Sequence, residues 1–206
     1  MIRVADAGGL RTLTLDRTDK ANSLTRAMLL EIEAAVGSAA EDGVRALVLT
    51  GAGKVFSAGA DLDEARAGLA TDPVWERLSA SVAALPCLTI AALNGTLAGG
   101  AMGMALACDL RIAVPGAKFF YPVMKLGFRP QPSDVRRLRT LVGPSRAKMI
   151  LMAGVKASAE EALAWGLIDR LVPSEDLLAE AEALAADALA ARPGHVEAIK
   201  GMVELP

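Results

Sequence analysis

Apolar residues in this chain come in short runs, most of them closed by a glycine or a polar turn. Ile2–Val4 and Leu10–Leu15 flank Gly8-Gly9 and predict a hairpin. Met28, Leu29, Ile32 and Val36 recur at helical spacing behind Thr25, predicting a capped helix over Arg26–Ala39 with Gly43 just past its end. Val44–Thr50 and Leu88–Leu93 read as buried strands. Between them, Asp61–Ala67 begins one helix, and a second runs from Pro73 to about Leu85, where Pro86 stops it. A helix over Gly99–Cys108 is followed by strands at Leu110–Val114 and Lys118–Tyr121. Beyond the glycine- and proline-rich loop Gly127–Pro132, short helices are predicted near Ser133–Leu141 and Ser145–Met152. A helix from Ser158 to Gly166, a short strand Leu167–Val172 and a long amphipathic helix Ser174–Ala191 follow, and Val196–Val203 begins another apolar pattern. Strand, crossover helix and strand in alternation predict a right-handed α/β arrangement whose helices gather toward the C-terminus.

Two passages carry more than packing information. Ala46–Leu62 reads as a buried strand that breaks into Gly51-Ala52-Gly53, continues through Phe56-Ser57-Ala58-Gly59-Ala60, and enters a helix at Asp61. Leu88–Leu93 does the same through Asn94-Gly95 and Leu97-Ala98-Gly99-Gly100. Two such strand-loop-helix junctions can bring free backbone N–H groups over one point, where they would hold a carbonyl oxygen as it becomes an oxyanion. Gly51-Ala52-Gly53 lacks the third glycine of a dinucleotide fingerprint, and Gly53-Lys54 lacks the earlier glycine and the following Ser/Thr of a P-loop.

Composition narrows the chemistry. A chain of 206 residues that is 53% hydrophobic can bury the core of one domain and does not read as disordered. An aromatic content of only 3% and a net charge of −2 argue against nucleic acid as a partner. Cys87 and Cys108 lack any C-x-x-C spacing and read as buried free thiols. With charged Arg3 and Asp6 opening the chain where a signal peptide would be apolar, they suggest the cytoplasm. Leu88–Leu106 approaches membrane length, but its interruption by Asn94 and four glycines favours a strand-turn-helix, so no membrane association is expected. His195 is the one histidine and follows Arg192-Pro193-Gly194 near the C-terminus, where it reads as a surface residue. A histidine-built metal site is thereby excluded, and no metal is expected.

The segments Leu15–Leu24, Phe56–Leu62, Asn94-Gly95 with Gly99-Gly100, Cys108–Ala113, Leu126-Gly127 and Ala162–Asp169 together closely resemble the crotonase (enoyl-CoA hydratase/isomerase) superfamily, nearly end to end. The resemblance implies an α/β crotonase-like spiral of β-β-α repeats over 1–140. A C-terminal helical region over 141–206 completes the same domain and is shortened relative to the family, with the acyl-pocket cover either missing or supplied by a neighbouring subunit. It implies an acyl-CoA thioester as partner, with coenzyme A as part of the substrate and no separate cofactor, and a homo-trimer or hexamer. It places the oxyanion N–H groups at Ala60 and Gly100, and substrate contacts at Lys20, Ala21, Ala58, Asp61 and Leu62. Clp-type serine proteases share the general fold, but their serine needs a histidine between core elements, and none precedes His195.

The chain departs from the family where protons move. Hydratases use two glutamates, and alignment on the second glycine block puts the first at Gly103, while alignment on Phe119–Pro122 puts the second at Val123. Neither side chain transfers a proton. Some relatives use a later aspartate, whose position here is Gln131, a residue that orients but cannot act as a base. Asp134 is the nearest carboxylate; Ser133-Asp134 at a helix start is also what capping and the helix dipole prefer, and that reading is favoured. Tyr121, the sole tyrosine, reads as core, with proton donation as the alternative. Seven Lys/Arg against one Asp between Lys125 and Lys148 read as a solvated helix face or as attraction for CoA phosphates. Two functions stay open. One is an enzyme that stabilises a thioester enolate: a hydratase/isomerase-like lyase or isomerase of fatty-acid type, or a decarboxylase or thioesterase variant. The other is a non-catalytic acyl-CoA-binding or auxiliary subunit.

Overall fold

The structure is a computed structural model and describes residues 1–203. The chain opens with a hairpin of β1 (Ile2–Ala7) and β2 (Leu10–Leu15), paired antiparallel with Ala7 opposite Leu10. Next comes α1 (Arg26–Gly37), whose N-cap Thr25 accepts a hydrogen bond from the Met28 N–H, as predicted. Its stripe Met28, Leu29, Ile32 and Val36 is completely buried, each side chain contributing about 1.5–3 kcal/mol of hydrophobic stabilisation.

The sequence then repeats a unit in which one strand joins a large sheet, the next joins a small one, and a helix follows. The first unit is β3 (Ala46–Gly51), β4 (Val55–Ser57) and α2 (Leu62–Arg66), after which α3 (Val74–Ala83) crosses over. The second is β5 (Leu88–Leu93), β6 (Thr96–Ala98) and α4 (Met102–Ala107), entered through one 3-10 turn at Gly99–Ala101. The third is β7 (Leu110–Ala113), β8 (Lys118–Phe120) and the single-turn α5 (Val123–Leu126). This is the expected β-β-α spiral. The large sheet runs β1-β2-β3-β5-β7 and is parallel from β2 onward, and β4, β6 and β8 stack in parallel beside it.

The helix α6 (Pro132–Leu151) starts with proline at its first position and breaks at Gly143, whose φ of 77° and ψ of 165° are not helical. The break gives the two short helices expected there. The chain continues as β9 (Ala157–Ser158), α7 (Ala159–Trp165), β10 (Arg170–Leu171), α8 (Leu177–Ala190) and α9 (His195–Val203). Here β9 closes the small sheet and β10 the large one, so the C-terminal segment is sewn into both. Arg111 reinforces the join: its buried guanidinium donates to the carbonyls of Cys108 at 2.6 Å and Leu167 at 3.0 Å, and its N–H donates to Asp169 at 2.7 Å.

Several boundaries differ from expectation for physical reasons. The strands β4, β6 and β9 were not anticipated, since two or three residues are too few to show an alternation. The Leu167–Val172 strand contracts to β10, and the helix after Ser174 begins only at Leu177. Cys87 and Cys108 are buried free thiols, and desolvation pushes them up to about 11 and about 12, which keeps both unreactive. His195 is exposed. Among the described residues, no helix is long and apolar enough to cross a membrane, and no cluster of three or more His, Cys, Asp or Glu could hold a metal ion.

Candidate active site

The two glycine-punctuated junctions meet. Because β4 and β6 are parallel neighbours, the loops leaving them emerge side by side. A Cβ added to Gly59 would stand 3.0 Å from the Ala98 carbonyl oxygen and 3.3 Å from the Gly99 Cα, and Gly59 itself has a φ of 94°. Backbone contact this close, in a conformation other residues rarely adopt, admits only glycine.

Ala60 and Gly100 directly follow the two touching glycines. Leu24 donates its N–H to the Gly59 carbonyl, and its own carbonyl accepts from the Asp61 N–H, both at 2.8 Å. In extended backbone the intervening residue then points its N–H the other way, so the Ala60 N–H is turned from Leu24. Gly100 lies in the first turn after Ala98, where N–H groups have no intrahelical acceptor. Trp75 backs this turn: its ring is 3.2 Å from a Cβ placed on Gly100, and its indole N–H donates to the Leu69 carbonyl at 2.7 Å.

Asn22 holds the first junction from behind. It is fully buried with a φ of 52°, and its side-chain amide donates to the carbonyls of Ala52 at 2.9 Å and Val55 at 2.7 Å while its Oδ1 accepts from the Arg17 N–H at 2.8 Å. Ser57 Oγ donates to the Asn22 carbonyl at 2.8 Å. Asn22 belongs to the quoted sequence block, but its role as a hub depends on partners some thirty residues away and is invisible locally.

Ala60 and Gly100 line one cavity of about 410 Å³, together with Ala58, Leu62, Trp75 and Gly99. Its lining is completed by Phe120–Leu126, Phe128, Arg129, Gln131 and Lys156, with Phe120 paired beside Ala98. Of the sequence-predicted residues, Ala58, Ala60, Leu62, Gly100, Tyr121 and Gln131 are therefore brought together. Lys20, Ala21 and Asp61 lie outside this wall: Lys20 is exposed, Ala21 accepts from the Ala58 N–H, and the Asp61 carboxylate is taken up by Arg17 and by capping α2. Arg17 holds the Asp61 carboxyl below the usual carboxylate range. Sequence reading missed Trp75, Phe120 and Lys156; the Lys156 ammonium sits 4.8 Å from the Phe120 ring centroid, a contact with no local signature.

Asp134 needs a correction. It does not cap its helix. Gln131 is the N-cap residue of α6, without a side-chain capping bond, and Asp134 is 1% exposed and turned inward. Tyr121 donates its hydroxyl proton to Asp134 Oδ2 at 2.9 Å, while Oδ1 is buried with no hydrogen-bond partner among the described residues. Asp134 does lie in the first turn of α6, as the helix dipole favours, but its carboxylate is spent on tertiary contacts rather than on the cap. A Cβ added to Gly103 would meet Asp134 Oδ1 at 2.8 Å, so the carboxylate fills the room that a side chain at this α4 position would need. Ser133 Oγ donates to Glu76 at 2.9 Å, and Arg137 donates to Ser133 at 3.0 Å and also to Ser79. Burial pushes the Asp134 carboxyl up to about 7, helped by Glu76 and opposed by the Tyr121 hydrogen bond and by Arg137. Burial, followed by the charge of Asp134, raises the Tyr121 hydroxyl as well.

Comparison with known proteins agrees with this architecture. A family model described as enoyl-CoA hydratase/isomerase matches residues 6–205. The Mycobacterium tuberculosis protein named "Probable enoyl-CoA hydratase echA6" is 36% identical over 188 residues, spanning 91% of this chain and 75% of that protein. The Arthrobacter 4-chlorobenzoyl coenzyme A dehalogenase-2 is 35% identical over 208 residues, covering 96% of this chain and 75% of its own length. The crystal structure of an enoyl-CoA hydratase from Bacillus anthracis superposes with a TM-score of 0.91 at 34% identity, covering 98% of this chain and 81% of that one.

Proposed function

The chain belongs to the enoyl-CoA hydratase/isomerase family, and we propose that it stabilises the enolate of an acyl-CoA thioester with the backbone N–H groups of Ala60 and Gly100. The family carries acyl-CoA thioester chemistry of the hydratase/isomerase type. The observation that supports this particular assignment is the Gly59–Gly99 backbone contact, with the following residues Ala60 and Gly100 both lining one cavity. A thioester carbonyl gains negative charge as its α-carbon loses a proton, and fixed amide donors stabilise that charge without reorganising; each such donor is worth about 3 kcal/mol. Ala58 and Leu62 would pack along the thioester arm from the same wall.

The two-glutamate addition of water is not the proposed route, because Gly103 and Val123 offer no carboxylate. Reactions that need only enolate stabilisation and one proton-transfer group remain. A second reading, an acyl-CoA binder without turnover, is favoured by the same two substitutions and by a cavity lining built largely of apolar side chains.

A mass-spectrometric screen against enoyl-, 3-ketoacyl- and malonyl-type CoA thioesters separates the two. Turnover that vanishes in Gly100→Pro, with acyl-CoA binding retained, supports the enzyme. Tight binding with no turnover of any thioester supports the binder.

A further inference from the structure

Resting on the thioester reading above, we infer that Tyr121 and Asp134 form a sealed proton relay that replaces the missing glutamates and moves one proton between the α- and γ-carbons of a β,γ-unsaturated acyl-CoA. Tyr121 belongs to the wall of the cavity that Ala60 and Gly100 also line, and its hydroxyl touches Asp134 at 2.9 Å. Asp134 is itself behind that wall, 1% exposed, so it acts through Tyr121 and is a positioning residue and proton store. Its carboxylate takes the space over Gly103, so the carboxylate that the α4 position lacks is supplied from α6.

The steps balance within the site. With Asp134 ionised, Tyr121 gives its hydroxyl proton to Oδ2 as its oxygen takes the substrate's α-proton; the α C–H bond breaks and its electron pair enters a dienolate held by the two amides. With Asp134 protonated, Oδ2 returns its proton to the tyrosine oxygen, and the tyrosine hydroxyl delivers one to the γ-carbon. The C–H bond forms at γ, the double bond moves into conjugation with the thioester, and the relay is restored. Hydration would have to position a water, and decarboxylation would consume a proton each turnover, which a carboxyl this buried cannot collect readily from solvent. An isomerisation needs neither. The groups that surround the carboxyl are Glu76 from α3, Arg137 from its own helix and Tyr121 from the end of β8, while α4 presents only the uncharged Gly103 there. With the carboxyl pushed up to about 7, both protonation states are accessible near neutral pH.

The test uses the full chain with 3-hexenoyl-CoA, reading conjugated enoyl thioester by absorbance, beside calorimetric binding of saturated hexanoyl-CoA. The wild type is expected to isomerise the substrate, with kcat/KM rising about tenfold per pH unit below a midpoint near 7. Tyr121→Phe and Asp134→Asn are each expected to lose about 10²–10⁴-fold in kcat while binding hexanoyl-CoA within about threefold of wild type. Substrate deuterated at the α-carbon is expected to return part of its label at the γ-carbon. Wild-type turnover in Tyr121→Phe, or complete wash-out of label to solvent, overturns the relay. Hexanoyl-CoA binding without isomerisation overturns the relay but leaves the thioester reading standing; absence of acyl-CoA binding removes both.

Discussion

Asp134 and Gly103 share one volume: a methyl group on Gly103 would come 2.8 Å from Asp134 Oδ1 and 3.3 Å from Oδ2. Alanine is a better helix former than glycine by about 1 kcal/mol, yet here it must push a short, buried, hydrogen-bonded side chain. Gly103→Ala is therefore expected to destabilise the protein by about 1–2 kcal/mol. In an Asp134→Ala background the same change should instead stabilise by up to about 1 kcal/mol. Urea denaturation of the four proteins in this cycle reads the coupling, and strict additivity would show that the two positions do not compete.

The raised Asp134 carboxyl makes stability depend on pH with a definite sign. In the folded protein it keeps its proton up to about 7, whereas unfolded aspartate loses it near 3.9. The folded state thus binds the extra proton, and the stability this group confers is complete below about pH 4 and is lost as pH rises through about 7. Asp134→Asn, which has no proton to lose, should gain on wild type by on the order of 3 kcal/mol between pH 4 and pH 8. Denaturation midpoints at both pH values measure this, and a constant difference would contradict it.

Gly59→Ala is expected to cost at least about 2 kcal/mol, since the residue has a φ of 94° and its new methyl would press on the Ala98 carbonyl and Gly99. Acyl-CoA affinity should fall more than stability alone explains, as Ala60 and Gly100 would separate. Calorimetry well below the melting temperature distinguishes the effects, and unchanged affinity would count against a shared site.

Asn22→Ala removes three side-chain hydrogen bonds from a fully buried position and places alanine at a φ of 52°. About 3 kcal/mol of destabilisation is expected, from unpaired carbonyls and backbone strain together. Hydrogen exchange should accelerate first at the amides of 55–61. Uniform acceleration across the fold would mean that Asn22 serves global packing only.

What could be read from the sequence was local. The capped helix at Thr25, the two short helices near Ser133–Leu141 and Ser145–Met152 and both glycine junctions are written in adjacent residues, and each matches the structure. The resemblance across Leu15–Leu24 and Phe56–Leu62 led to the spiral itself. What stayed hidden depends on distant partners. Trp75 comes under Gly100 through the packing of α3 on α4, and Phe120 meets Lys156 only after the chain returns as β9. The capping half of the Asp134 reading failed, although the residue does lie in the first turn of α6, because only its burial beside Tyr121 distinguishes a capping acid from a tertiary one.

The meeting of Gly59 with Gly99 has an evolutionary consequence. No rotamer intervenes where the two loops touch, so the spacing of the amides that follow is set there by main chain and is insulated from exchange of most side chains nearby, the supports Asn22 and Trp75 excepted. New chemistry in such a scaffold has to be written on the remaining cavity lining, along 120–131, where side chains rather than main chain meet the ligand space.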